Sequence, residues 1–195
     1  RSSDLFNRIG KGGVVHVAAQ HKADRPNTFS SGVRRFAQCG VNGAYRLRSA
    51  TPNSEALLNI FAVGGMIEQA IESVDALERE GIGVSLFVVT SPDLLYRQMN
   101  VAWMDEQAGQ DAGRWDPTGL LDDNEIGKPV LSVIDGHPHS ISFLGSALDS
   151  PSTALGVTSY GQSGSRTDLY RHYGIDAQGI YEAGLGLVDR VRRRS

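Results

Sequence analysis

Two short stretches gather most of the side chains in this sequence that could do chemistry. The first, Asp135-Gly136-His137-Pro138-His139, sets one carboxylate and two imidazoles within five residues. His-x-His at a strand end is a spacing that some metal-dependent hydrolases use, because alternate residues project the same way. A catalytic zinc needs a further ligand, and His16, His21 and His172 lie in no motif that would supply one. Pro138 also interrupts strand geometry between the pair. Three readings stand: a metal, polar contact with a substrate, cofactor or facing subunit, or loop structure with Asp135 capping the next helix.

The second stretch, Gly161-Gln162-Ser163-Gly164-Ser165, nearly spells the Gly-x-Ser-x-Gly nucleophile elbow, but serine occupies the final position. His172 follows inside the next helix, which does not suit the order of a hydrolase triad. Ser165 and Asp168 instead have the spacing of a capping box for a helix over 166–173. Two glycine runs complete the candidates. Gly64-Gly65 follows an apolar strand and could offer backbone N–H groups to an anion, yet the full Gly-x-Gly-x-x-Gly pattern is missing, so it reads as a tight packing turn. Gly10-Lys11-Gly12-Gly13 lacks the spacing of a phosphate loop and reads as part of a flexible arm.

The elements that must hold these stretches alternate along the chain. Val130, Leu131, Val133 and Ile134 form a buried strand leading into Asp135, followed by a short apolar helix (Ile141, Phe143, Leu144, Ala147, Leu148). Ala154, Leu155 and Val157 form a strand feeding the second turn. Upstream, Ala44 to Arg48 alternates as a half-exposed edge strand does, Leu57 to Val63 reads as an interior strand, and Val84 to Val89 as a fully apolar one. Between the last two, Ile67, Ala70, Ile71, Val74 and Leu77 share one helix face, which Gly81 ends with a left-handed residue. Ser91-Pro92 opens another helix with Leu94, Leu95, Met99, Ala102 and Trp103 on its apolar face. Residues 109–128 are a breaker-rich loop. Its Asp122-Asp123-Asn124-Glu125 cluster lacks the ligand spacing of a calcium site and reads as solvated. A final helix from Asp176 packs Ile180, Ala183, Gly184, Leu187 and Val188 onto the sheet. Strand, turn and helix in this alternation predict an α/β fold with its polar edge at the strand ends.

The totals bound the function. Apolar residues at 40% and charged residues at 21% are ordinary for a globular chain, and a net charge of −3 gives no reason to expect nucleic acid. Arg190, Arg192, Arg193 and Arg194 read as a solvated tail. Cys39 is the single cysteine, which excludes an internal disulfide and a cysteine zinc site and points to a reducing, cytoplasmic compartment. No run approaches the ~18 apolar residues of a membrane span, so no membrane role is expected. The chain opens at Arg1 without methionine, which we read as a fragment of something longer.

Taken together, Leu155-Gly156-Val157-Thr158-Ser159-Tyr160-Gly161-Gln162-Ser163-Gly164-Ser165, then Asp168-Leu169-Tyr170 and Tyr173-Gly174-Ile175-Asp176, resemble the C-terminal domain of the transketolase superfamily. Asp135 to His139 with Phe143-Leu144-Gly145 looks closest to the homodimeric pyruvate dehydrogenase decarboxylating component and its transketolase-like relatives. Gly43 to Leu47, Gly64-Gly65, Gly81 to Val84 and Val89 to Pro92 extend the resemblance over about residues 40–190. It implies a three-layer α/β/α sandwich on a mostly parallel five-stranded sheet with one antiparallel edge strand. It divides the chain into an arm or tail of a preceding domain (1–40) and the α/β domain (41–195). In that superfamily thiamine diphosphate and magnesium sit on upstream domains. This chain has no Gly-Asp-Gly diphosphate motif and holds neither alone. No catalytic residue is expected here. The implied role is homodimer contact and lining of the substrate channel, with Asp135, His137, His139, Gln162 and Ser163 facing the cleft. The implied partners are the upstream cofactor-binding domains, with a lipoyl acyltransferase for a pyruvate dehydrogenase. A transketolase acting on sugar phosphates is the enzyme alternative, for which Arg34, Arg35 or Arg171 would meet phosphate. A stand-alone interaction module of the same fold is the third reading.

Overall fold

The middle of the molecule is a strand that is apolar in seven of its eight residues, β2 (Ala56–Val63), and everything else is arranged on either side of it. A computed structural model describes residues 43–51, 54, 56–107, 120–159 and 162–194. The expected arm over 1–40, with its glycine run and its two histidines, lies outside them. Parallel neighbours flank β2: β3 (Ile82–Val89) on one side and β4 (Val130–Val133) on the other. β5 (Ser152–Leu155) runs parallel beyond β4, and β1 (Ala44–Arg48) closes the far edge antiparallel to β3. The order β1-β3-β2-β4-β5 is the mostly parallel five-stranded sheet with one antiparallel edge strand that the resemblance implies.

Helices cover both faces, as parallel strands require. α1 (Met66–Arg79) joins β2 to β3, and its buried Met66, Ile67, Ala70, Val74 and Leu77 pack on one face of the sheet. α5 (Ala177–Arg192) lies on that same face through Ile180, Leu187 and Val188. The opposite face carries α2 (Pro92–Gln107) and the short α3 (Phe143–Ala147), with Phe61 stacked on Phe87 at 4.7 Å beneath them. α4 (Arg166–His172) precedes α5. Caps fix the helix starts. Ser91 Oγ accepts from the Leu94 amide, Ser165 Oγ from Asp168, and Asp176 from Gly179, each taking an amide that has no partner inside its helix. Gly81 ends α1 at φ +78°, the left-handed conformation expected of it.

Three expectations are corrected. β3 is not fully apolar: Ser85 sits within it, fully buried. α2 buries only part of the face read from its periodicity, with Leu94 and Met99 half-buried. Leu95 is enclosed, whereas Trp103 is 57% exposed, with Val101 and Met104 open to solvent as well. In the cluster from Asp122 to Glu125 the first three residues are solvated as expected, but Glu125 is not, being 3% exposed. Arg46 of β1 donates to Glu125 Oε2 at 2.6 Å, and the Ser85 hydroxyl bonds to the other carboxylate oxygen. The Asp122 amide and the Asn59 side chain add bonds to the Glu125 carboxylate and carbonyl. A buried carboxylate is tolerable only with such partners.

Both edges of the sheet are obstructed. β1 is irregular between Arg46 and Arg48, and Arg48 is drawn onto Asp75 and Glu78 of α1. At β5, Arg190 of α5 donates to the Ser152 carbonyl at 3.3 Å and to Thr153 Oγ1 at 3.0 Å.

Candidate functional site

The parallel strands all point their carboxyl ends to one edge, and the turns singled out in the sequence collect there. After β2 the chain turns through Gly64, at φ +57°, and Gly65 into α1. After β4 it passes through Asp135-Gly136 into a one-turn 3-10 helix, Pro138–Ser140. After β5, Gly156 packs so closely on the Gly136 carbonyl and Pro138 that a Cβ there would meet both. The Val157 amide donates to the Gly136 carbonyl at 2.8 Å, tying the turn after β5 to the turn after β4.

Asp135 does not cap the following helix. His137 takes that place: its Nδ1 accepts the His139 amide at 3.3 Å, and the two imidazoles meet edge to face at 4.6 Å. Both rings are exposed. Asp135 is instead engaged by a residue 35 positions later, the Tyr170 hydroxyl of α4, which donates to Oδ2 at 2.9 Å. The same hydroxyl lies 3.1 Å from where a Cβ on Gly65 would stand, so glycine leaves room for the phenol. Tyr170 is 7% exposed. Its pKa is pushed up to about 12, first by burial, then by the hydrogen bond to Asp135 and that carboxylate's charge. Arg166, with its guanidinium carbon 6.0 Å from the Tyr170 ring centre, pulls the other way.

The edge thus brings together Asp135, Tyr170 and Gly65, with His137 and His139 beside them. Gln162 and Ser163 are exposed in the stretch before α4, and the bonds in that stretch are made by Ser165 and Asp168 as a cap. In the sequence Tyr170 enters only through the resemblance, with no site role attached to it. Its signal would have been a tyrosine on the buried side of a short charged helix, where a hydroxyl needs an acceptor. Among the described residues no three histidine, cysteine, aspartate or glutamate side chains come together in a way that would hold a metal ion. None of the described helices is long and apolar enough to cross a membrane.

Comparison with known proteins agrees with this architecture. Residues 43–176 match the family model of the transketolase-like TK C-terminal domain. A transketolase of Sinorhizobium medicae (strain WSM419) is 29% identical over 163 residues, which are 76% of this chain and 18% of that protein. The chain therefore spans less than a fifth of that relative. Among solved structures, a Pichia stipitis transketolase in complex with sedoheptulose-7-phosphate superposes with a TM-score of 0.53 at 18% identity, over 80% of this chain and 19% of that one. The transketolase of Leishmania mexicana does so with a TM-score of 0.51 at 22% identity, over 85% and 20%. At these identities the structural likeness speaks for the fold. The named relatives are transketolases, which favours the transketolase alternative over the pyruvate dehydrogenase component as the nearer resemblance. With the sheet order, the glycine-hinged strand ends and the match over 43–176 in agreement, the chain belongs to the transketolase-like C-terminal domain family.

Proposed function

We propose that this chain is the C-terminal lobe of a thiamine diphosphate-dependent transferase of the transketolase kind, moving a two-carbon ketol unit between sugar phosphates. The observation that carries the reading is the family match over residues 43–176 together with the 29% identical transketolase. Among the described residues no cluster of histidine, cysteine, aspartate or glutamate side chains fits the cofactor's metal. Thiamine diphosphate supplies the carbanion chemistry when bound, and that binding belongs to other parts of the parent protein.

The contribution of this lobe is to line the approach to the reaction centre and to meet a second subunit of a homodimer. Asp135, His137, His139, Gln162 and Ser163 are the polar side chains we assign to that surface. All five have direct access from solvent, and Asp135 is also bonded by Tyr170. Arg171 is exposed on α4 and is available to a phosphate. Residues 1–40 are proposed as the tail of a preceding domain. A transketolase needs no lipoyl acyltransferase.

The test is an assay of the full-length parent with thiamine diphosphate and magnesium, offered sugar phosphates in one arm and a 2-oxo acid with a lipoyl acceptor in the other. Ketol transfer supports the reading. Decarboxylation of the 2-oxo acid alone returns the pyruvate dehydrogenase component, and activity in neither arm leaves an interaction module. His137→Ala in the active parent should lower turnover or weaken dimerisation, and normal values for both would remove it from the site.

A further inference from the structure

The strand order reverses at one place. From β2 the chain crosses by α1 to β3, toward the β1 edge, while from β4 it crosses by α3 to β5, toward the opposite edge. The two crossovers lie on opposite faces of the sheet. Between the carboxyl ends of β2 and β4 the following turns diverge, and in open α/β sheets that crevice is where ligands bind. Here its walls are Gly64-Gly65 on one side and Asp135-Gly136 on the other.

We propose that Tyr170 is a built-in ligand of this crevice, so that the lobe closes its own switch-point site, and that the site underneath is shaped for a para-substituted phenol. Three observations converge on it. The Tyr170 hydroxyl reaches both walls, bonded to Asp135 Oδ2 at 2.9 Å and 3.1 Å from the Cβ position of Gly65. The ring is almost wholly enclosed, within the core that holds Met66 and Ile175. The segment delivering it is pinned at both ends. Ser165 caps the start of α4, while Tyr173 Oη donates to the Ser159 carbonyl at 2.9 Å and Ile175 N to the Tyr170 carbonyl at 2.9 Å. α4 is thus a strap across the strand ends, and its phenol stands where a small molecule would otherwise lie. This inference does not depend on which group the parent enzyme transfers.

Shortening the side chain should turn the plug into a vacancy that an external phenol fills. In the 195-residue chain, Tyr170→Ala should bind one p-cresol by calorimetry and gain thermal stability with it in a saturable way. Wild type and Tyr170→Phe, whose rings fill the crevice, should do neither. Toluene, which lacks the hydroxyl, should bind about tenfold more weakly than p-cresol. That preference should vanish in Tyr170→Ala/Asp135→Ala. A folded Tyr170→Ala that ignores p-cresol, or a wild-type chain that binds it equally well, overturns the proposal. If Tyr170→Ala does not fold even with p-cresol present, Tyr170→Phe decides by amide hydrogen exchange. Exchange about tenfold faster over residues 162–172, with β2 unchanged, supports a strap held by the hydroxyl. Unchanged exchange there refutes it.

Discussion

Arg46 and Glu125 stand 79 residues apart in the chain and 2.6 Å apart in the fold, joining the antiparallel edge strand to the loop that leads into β4. The Glu125 side chain is 4% exposed, against 22% for Arg46. Arg46 also takes the Leu120 carbonyl and Asp122, and its guanidinium carbon lies 5.6 Å from the centre of the Phe87 ring. One cation, with Asn59 and Ser85 beneath it, therefore organises a whole turn of chain over this face of the sheet.

Removing one half of that pair leaves the other charge in place without its partner. Glu125→Ala should cost about 3 kcal/mol in chemical denaturation, the low end for a broken buried pair because Arg46 keeps some contact with water. A double-mutant cycle with Arg46→Ala should return a coupling of about 1–3 kcal/mol. Additive losses would mean that the two side chains act separately.

Alkaline pH should weaken the fold through two phenols. Tyr45 and Tyr170 are each raised from 10.0 to about 12, Tyr45 by burial and Tyr170 by burial and Asp135. Between those values the unfolded chain releases protons that the folded chain keeps, so stability falls as pH rises. The contribution is whole below pH 10 and drains away toward 12. Urea midpoints measured across that range should decline, and Tyr170→Phe should remove about half of the decline. A flat profile would mean that neither phenol is held protonated by the fold.

Gly156→Ala should disturb the site from behind. Its Cβ would press on the Gly136 carbonyl and lie 3.0 Å from the Pro138 nitrogen, and backbone yields less readily than a side-chain tip. A loss of about 1–3 kcal/mol is expected, together with shifted imidazole resonances of His137 and His139. Unmoved resonances would show that the two turns are not coupled.

Ser165→Ala should fray the start of α4, at about 1 kcal/mol in stability. Because Tyr170 rides on that helix, near-ultraviolet circular dichroism from its phenol should weaken in the same variant. Retained aromatic ellipticity would place the anchoring of the ring elsewhere.

What could be read from the sequence was what neighbouring residues decide. The α1 face, the stop at Gly81, the caps at Ser91 and Ser165 and the helix start at Asp176 are all written within one or two turns of chain, and the structure keeps each of them. What escaped depends on partners far along the chain. Asp135 looked like a cap because a carboxylate before a helix usually is one, but its acceptor site was filled from 35 residues away. Glu125 looked solvated because an acid in a polar loop carries no mark of burial. The mark lay in its partners, since Asn59 and Ser85 on inner strands need something to bond to. Trp103 shows the opposite limit: periodicity gives a helix an apolar side without saying whether anything covers it.

The guarded margins of the sheet restrict how this lobe meets other polypeptides. An open strand invites another backbone to pair with it. Here the kinked, salt-bridged β1 and the arginine seated over the start of β5 deny that invitation on either flank. We therefore expect assemblies of this lobe to be built by side chains meeting across its broad sides or its turn-bearing end, where a single substitution can tune the fit, rather than by lengthening one continuous ribbon of strands.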